Sequence, residues 1–219
     1  PIRQLVEGWG EFTSRQWLWV CVAQWSILVM AMQAAQGILG PVYAKAQLGG
    51  AGAWTAILAG EAVGAIAGVT LSMLWRPSRP ILVGTLATLS AGVPPVLMGL
   101  GAPLWALIGS MALLGVCFEL FGVLWLTTMQ AEVPPESLSR VASYDALGSL
   151  MFGPLGLVLA GPAILAFGVN AALIATGVMM IAITIAALSA PEVRQLRARP
   201  VVRETASVLT AAEEAAEAL

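Results

Sequence analysis

The chain has 219 residues, 59% of them hydrophobic and only 10% charged, with a net charge of −2 and a mean hydropathy of +0.88. Soluble domains carry roughly a quarter charged residues, so a water-soluble fold is disfavoured. The absence of histidine argues against a histidine general base, histidine metal ligation and haem; no cofactor, metal or nucleic-acid partner is expected.

The chain opens at Pro1 in place of an initiator Met and reads as cut from something longer, with no signal peptide visible. Residues 1–16 form a linker. Its stretch from Leu5 to Gln16 is polar on one side, carries Trp9 and is expected to lie as a helix along the membrane surface.

A helix needs about 20 apolar residues to cross the roughly 30 Å hydrocarbon layer. Six segments qualify: about 17–40, 54–74, 80–100, 104–129, 144–167 and 170–188. The third and fourth meet at Gly101-Ala102-Pro103, the fifth and sixth at Gly168-Val169-Asn170. The fold expected is an all-α membrane bundle of six spans, followed by a soluble tail over 190–219. Cys21 and Cys117 lie within the apolar runs without metal-like spacing and read as packed thiols.

Charge gives orientation. With six crossings both termini share a side. Arg3, Arg15, Arg76, Arg79, Arg140, Arg194, Arg197, Arg199 and Arg203 fall on that side, and Lys45 alone on the other. By the positive-inside rule both termini are cytoplasmic, and the lipid bilayer is the first partner. Trp9, Trp17, Trp75, Trp125 and Tyr144 fall at the inner boundary and Tyr43, Trp54 and Trp105 at the outer, where amphipathic rings settle.

Ionisable residues inside a bilayer cost about 2.5–3.5 kcal/mol on insertion scales and face a cavity or a partner. The first segment carries Gln24, Gln33 and Gln36, the second Glu61, the fourth Glu119 and Gln130, the fifth Asp145. The third and sixth carry no charge. Four helices are therefore expected to face a cavity and two to face lipid. At about 100° per residue, Glu119 shares a face with Ala112, Gly115, Leu126 and Gln130. Trp25, Met32, Gln33 and Gln36 cluster on one side of the first span, with Gln24 off it. Glu119 and Glu61 are the candidates for proton or cation handling, with Asp145 third. Asp145 also reads as a structural charge at a helix start, beside Arg140 and Ser143. Trp25, Gln33, Gln36 and Gln130 are candidate cavity lining; Arg76, Arg79 and Arg140 are candidates for hairpin gating. Gly60, Gly64 and Gly68 have the spacing of a close helix crossing. Pro94, Pro95, Pro154 and Pro162 are expected to bend the third and fifth helices.

With the spans placed, a resemblance emerges. It rests on Trp125-Leu-Thr-Thr-Met-Gln130, Val133-Pro-Pro-Glu-Ser-Leu-Ser-Arg-Val141, Ser143-Tyr-Asp-Ala-Leu-Gly-Ser149, Gly153-Pro-Leu-Gly156 and Trp75-Arg-Pro-Ser-Arg-Pro80. Up to about Arg194 the chain resembles the C-terminal half of a major facilitator superfamily transporter, in the enterobactin-exporter-like branch of bacterial drug and siderophore exporters. The resemblance implies helices seven to twelve of a twelve-helix, proton-driven exporter of small amphipathic molecules in the bacterial inner membrane. The partner it implies is the missing N-terminal six-helix half. Family members often carry an acid directly after the tryptophan matching Trp125; Leu126 stands there here, with Glu119 two turns earlier. The alternatives are a truncated or non-transporting six-helix scaffold and an intramembrane enzyme. Against the enzyme stand the missing histidine and the lack of a Gly-x-Ser-x-Gly elbow.

Overall fold

The computed structural model describes residues 9–198 apart from Glu11. It is an all-α membrane bundle with six helices long and apolar enough to span a bilayer: α1 (Gln16–Gln47), α2 (Ala51–Leu74), α3 (Pro80–Gly99), α4 (Leu104–Glu132), α5 (Pro135–Phe167) and α6 (Val169–Ser189). A short α7 (Pro191–Gln195) follows. The count matches the sequence; several ends do not.

The α1 helix runs to Gln47 rather than stopping near Gly40. Pro41 removes a backbone donor that would ordinarily end or kink a helix. Here the turn before it is widened, and the Gly40 N–H reaches the Ala35 carbonyl five residues back. One wide turn absorbs the proline and the helix continues. At 32 residues and 1.5 Å each, α1 is about 48 Å long, so it tilts or projects beyond the hydrocarbon layer.

Residues 135–143, which lie between the fourth and fifth expected segments, are helical. The chain turns only at Val133 and Pro134; Pro135 sits in the first turn, where its missing donor costs nothing, and Glu136 lies beside it. The same helix breaks once, at Met151 and Phe152, before restarting at Gly153. Pro154 is the cause, since it cannot donate to the Leu150 carbonyl. Pro162 sits inside the restarted helix without interrupting it. In α3 the turn tightens over Thr88–Gly92, immediately before Pro94 and Pro95.

Side by side, the helices run α2, α4, α3, α6, α1, α5. Exchanging α1–α3 for α4–α6 maps these pairs onto one another: α2 with α4 becomes α5 with α1, α3 with α4 becomes α6 with α1, and α3 with α6 returns itself. Three crossings per repeat make the two repeats antiparallel, so this is an inverted repeat. Glycine marks each seam. Along α2, a Cβ on Gly60 would lie 2.6 Å from the Ile108 carbonyl oxygen of α4 and one on Gly68 2.5 Å from that of Val116. Gly64 faces the Ala112 carbonyl in the same way, so these glycines serve packing. On α5, Gly156 abuts the Met30 carbonyl of α1. At the centre Gly92 of α3 and Gly177 of α6 pack reciprocally, each Cβ position 2.5–2.6 Å from the other's carbonyl oxygen.

This arrangement departs from the expected division of faces at α3. Alone among the six, α3 is mostly enclosed, held between α4 and α6, whereas α2 and α5 at the ends of the row are the most open. Sequence polarity counts charges; enclosure depends on how closely the neighbours approach, and α3 lies against both of its own through Gly84 at Phe121 of α4 and Gly92 at the Gly177 carbonyl of α6. The aromatic girdle is also only partial. Trp105, Trp9 and Trp75 are exposed, but Trp17 and Tyr43 are buried at 3% and 1% exposure.

Of the linker, residues 1–8 and Glu11 lie outside the described residues. Trp9 stacks on Phe12 at 5.6 Å and meets Tyr144 of α5 edge-on, and Phe12 is buried, so this piece docks on the bundle. The tail beyond Ala198 is likewise outside the described residues. Its first part is docked rather than free: Val193 is fully buried and the Glu192 carboxylate accepts the Trp17 backbone N–H at 3.0 Å.

Candidate functional site

Polar side chains inside the spans fall into four groups. The deepest ties α1, α3 and α6 together. Gln24, 2% exposed, donates from Nε2 to Thr88 Oγ1 at 2.8 Å and to Thr184 Oγ1 at 3.1 Å. Both hydroxyls in turn donate to their own helices, at Thr85 O and Met180 O. Cys21 Sγ lies 4.0 Å from Thr85 Oγ1. At the end of the bundle away from the arginines, Gln47 donates to Asn170 Oδ1 at 2.6 Å and Asn170 to the Gly99 carbonyl at 3.1 Å. The three helices are therefore clasped both in the middle and at that end. The helical spacing put Gln24 off the side that carries Trp25, and it points instead between α3 and α6; its threonine partners went unnoticed, because a lone helical Thr ordinarily satisfies itself on its own backbone.

The second group holds two candidates together. Gln36, in the widened turn of α1, donates from Nε2 to both Glu61 carboxylate oxygens of α2 at 3.3 Å. Beside it, Met32, Gln36, Trp54, Pro94, Pro95 and Met98 line a cavity of about 20 Å³. That is room for about one water. A widened helical turn, a half-buried carboxyl and a proline-interrupted neighbour converge here.

Glu119 forms the third. It sits on the α2–α4 seam, its Cβ 3.0 Å from where a Cβ on Gly68 would be. Half-buried, it has no hydrogen-bond partner among the described residues. Gly68 lies seven residues beyond Glu61, about 10 Å along the helix, so the two acids do not form a pair.

The fourth is Asp145. It accepts the Trp125 indole N–H at 3.1 Å and the Ser149 hydroxyl at 3.3 Å. Arg140 does not pair with it; its guanidinium instead donates to the Glu136 carbonyl at 2.9 Å and lies 3.4 Å from the Ser137 hydroxyl. Trp125 also belongs to an aromatic ladder between α1 and α4. Trp17 meets it edge-on at 5.4 Å, Phe121 stacks on it at 5.9 Å, and Trp25 stacks on Phe121 at 4.8 Å with Phe118 edge-on. Trp25 thus fills the space between α1 and α4. Gln33 is exposed on α1 and faces Gly153 of α5, its Cγ 3.5 Å from that glycine's Cβ position. Gln130 is exposed near the end of α4, far from Gln36. Arg76 and Arg79 are exposed at the α2–α3 turn.

These features define a multi-pass membrane protein with carboxyls held inside its bundle and its apolar outer faces against lipid. No family model, curated protein or solved structure matches the chain.

Proposed function

We propose that this chain is the C-terminal six-helix half of a major facilitator superfamily secondary transporter. It works by alternating access against an N-terminal six-helix half and exports small amphipathic molecules in exchange for protons across the bacterial inner membrane. Its arginine-bearing end faces the cytoplasm, as the distribution of positive charge favours.

The observation that carries this reading is the inverted pairing of α1–α3 with α4–α6. Such repeats underlie rocking transporters, whose sites lie near mid-membrane at interrupted helices. Here the interruptions are the wide turn of α1, the tight turn of α3 and the break in α5. Two of the three border Gln36, Glu61 and the small cavity. In this reading Glu61 holds the proton when Gln36 releases it and yields it when Gln36 returns. Glu119, with no hydrogen-bond partner among the described residues, takes a second proton-handling role at the edge of the α2–α4 seam. The clasped block of α1, α3 and α6 moves as a unit.

The test is efflux of a panel of amphipathic cations and neutral compounds by the full-length protein in vesicles, at two external pH values. The expected result is substrate movement that rises with an imposed pH gradient and collapses when a protonophore dissipates it. Transport indifferent to the gradient would remove proton coupling, and no transport of any kind would leave a scaffold.

A further inference from the structure

A second cavity, of about 490 Å³, lies at the arginine-bearing end between α2, α4 and the start of α3. Its floor is apolar, built from Val69 and Met73 of α2 and Val123 and Leu124 of α4. Arg76 and Arg197 are on its lining, with Trp75 beside them. Among the described residues neither guanidinium has a hydrogen bond or ion pair.

The hydroxyls on the walls are already committed: Ser72, Thr127 and Thr128 donate to the carbonyls of Val69, Val123 and Leu124. The guanidiniums are therefore the polar groups left to recognise a ligand. Arg197 is held in place by the backbone, because the Ala198 N–H donates to the Ser78 carbonyl at 2.9 Å and lays the chain back along the α2–α3 turn. Glu132 is the acid on the same lining, so two positive charges outnumber one negative.

We propose that this cavity binds an anionic phospholipid, the phosphate held by Arg76 and Arg197 and an acyl chain laid on the Val69–Val123 floor. Guanidinium and phosphate match in geometry and form charge-assisted hydrogen bonds. Basic pockets between helices at a membrane surface take lipid headgroups. A free phosphate would gain the same two arginines but would leave the apolar floor wet, so the lipid is the better occupant. The proposal does not depend on transport.

The experiment is native mass spectrometry of the purified full chain with equimolar phosphatidylglycerol and phosphatidylcholine, repeated with inorganic phosphate. At roughly fivefold per arginine, the wild type should retain phosphatidylglycerol on the order of 20-fold over phosphatidylcholine. Arg76→Gln with Arg197→Gln should bring that preference near unity. Arg194→Gln should leave it unchanged, because Arg194 donates to the Ser189 carbonyl and lies off the cavity. Val123→Trp, which fills the floor and keeps both arginines, should also lose the lipid. Equal loss with Arg194→Gln would reduce the effect to a general basic surface and overturn the proposal. So would an unchanged preference in the double variant, or phosphate binding alone that Val123→Trp does not affect.

Discussion

Adding a single methyl group to the α2–α4 seam puts the packing argument to a sharp test. A Cβ on Gly60 would stand 2.6 Å from the Ile108 carbonyl oxygen, about 0.8 Å inside the 3.4 Å at which ordinary contact begins. On Gly68 the corresponding distance is 2.5 Å. The obstacles are backbone atoms, which cannot swing aside, so the two helices must part by nearly an ångström along the seam. Overpacking of this kind costs about 1–3 kcal/mol. Gly109, on α4 with nothing within 4 Å of its Cβ position, supplies the control: Gly→Ala there should stabilise by about 0.5–1 kcal/mol through helix propensity. Because a rigid seam opens only once, Gly60→Ala and Gly68→Ala together should cost clearly less than the sum of the two singly. Reversible unfolding in mixed micelles measures all four variants. If Gly60→Ala proves as stable as Gly109→Ala, or the pair adds fully, the seam is not the rigid contact described.

Gln24→Leu should cost about 1–2 kcal/mol in the same assay, since intramembrane hydrogen bonds average about 0.6 kcal/mol each and both threonine partners keep their backbone acceptors; no loss would mean the clasp contributes nothing. Glu192→Ala should free the Trp17 amide, read as faster hydrogen exchange at the start of α1, whereas unchanged protection would show that the docked tail does not depend on that bond. Glu119→Gln should leave expression and thermal stability intact, because no hydrogen bond among the described residues holds its carboxyl, and abolish pH-gradient-driven efflux; unchanged efflux would remove Glu119 from the mechanism.

How far the sequence spoke depended on which physics was local. Six crossings were legible because the hydrocarbon thickness imposes a length on every apolar run, whatever its neighbours. The ends of α1 and α5 were not. Pro41 and Pro135 look like breakers in one dimension, yet a widened turn accommodates the first and a helix start the second. The spacing of Gly60, Gly64 and Gly68 announced a close crossing correctly, because glycine at every fourth position makes one smooth stripe. The enclosure of α3 could not be read, since it is set by α4 and α6 rather than by its own residues. Among the site candidates, Gln36 and Glu61 were picked out singly by their polarity. That they meet depends on the packing of α1 against α2, which no periodicity encodes. The Asp145–Trp125 bond was missed for the opposite reason: Arg140, five residues earlier, looked the obvious partner and turned back on its own helix instead.

Glu61→Gln in the full-length protein, assayed for efflux at two external pH values, bears most directly on the central claim. Glutamine keeps the shape and can still meet the Gln36 amide, so the bundle should fold and insert as before. The account predicts that efflux loses its response to the pH gradient while substrate binding persists. A variant that still exports in proportion to the gradient would contradict it.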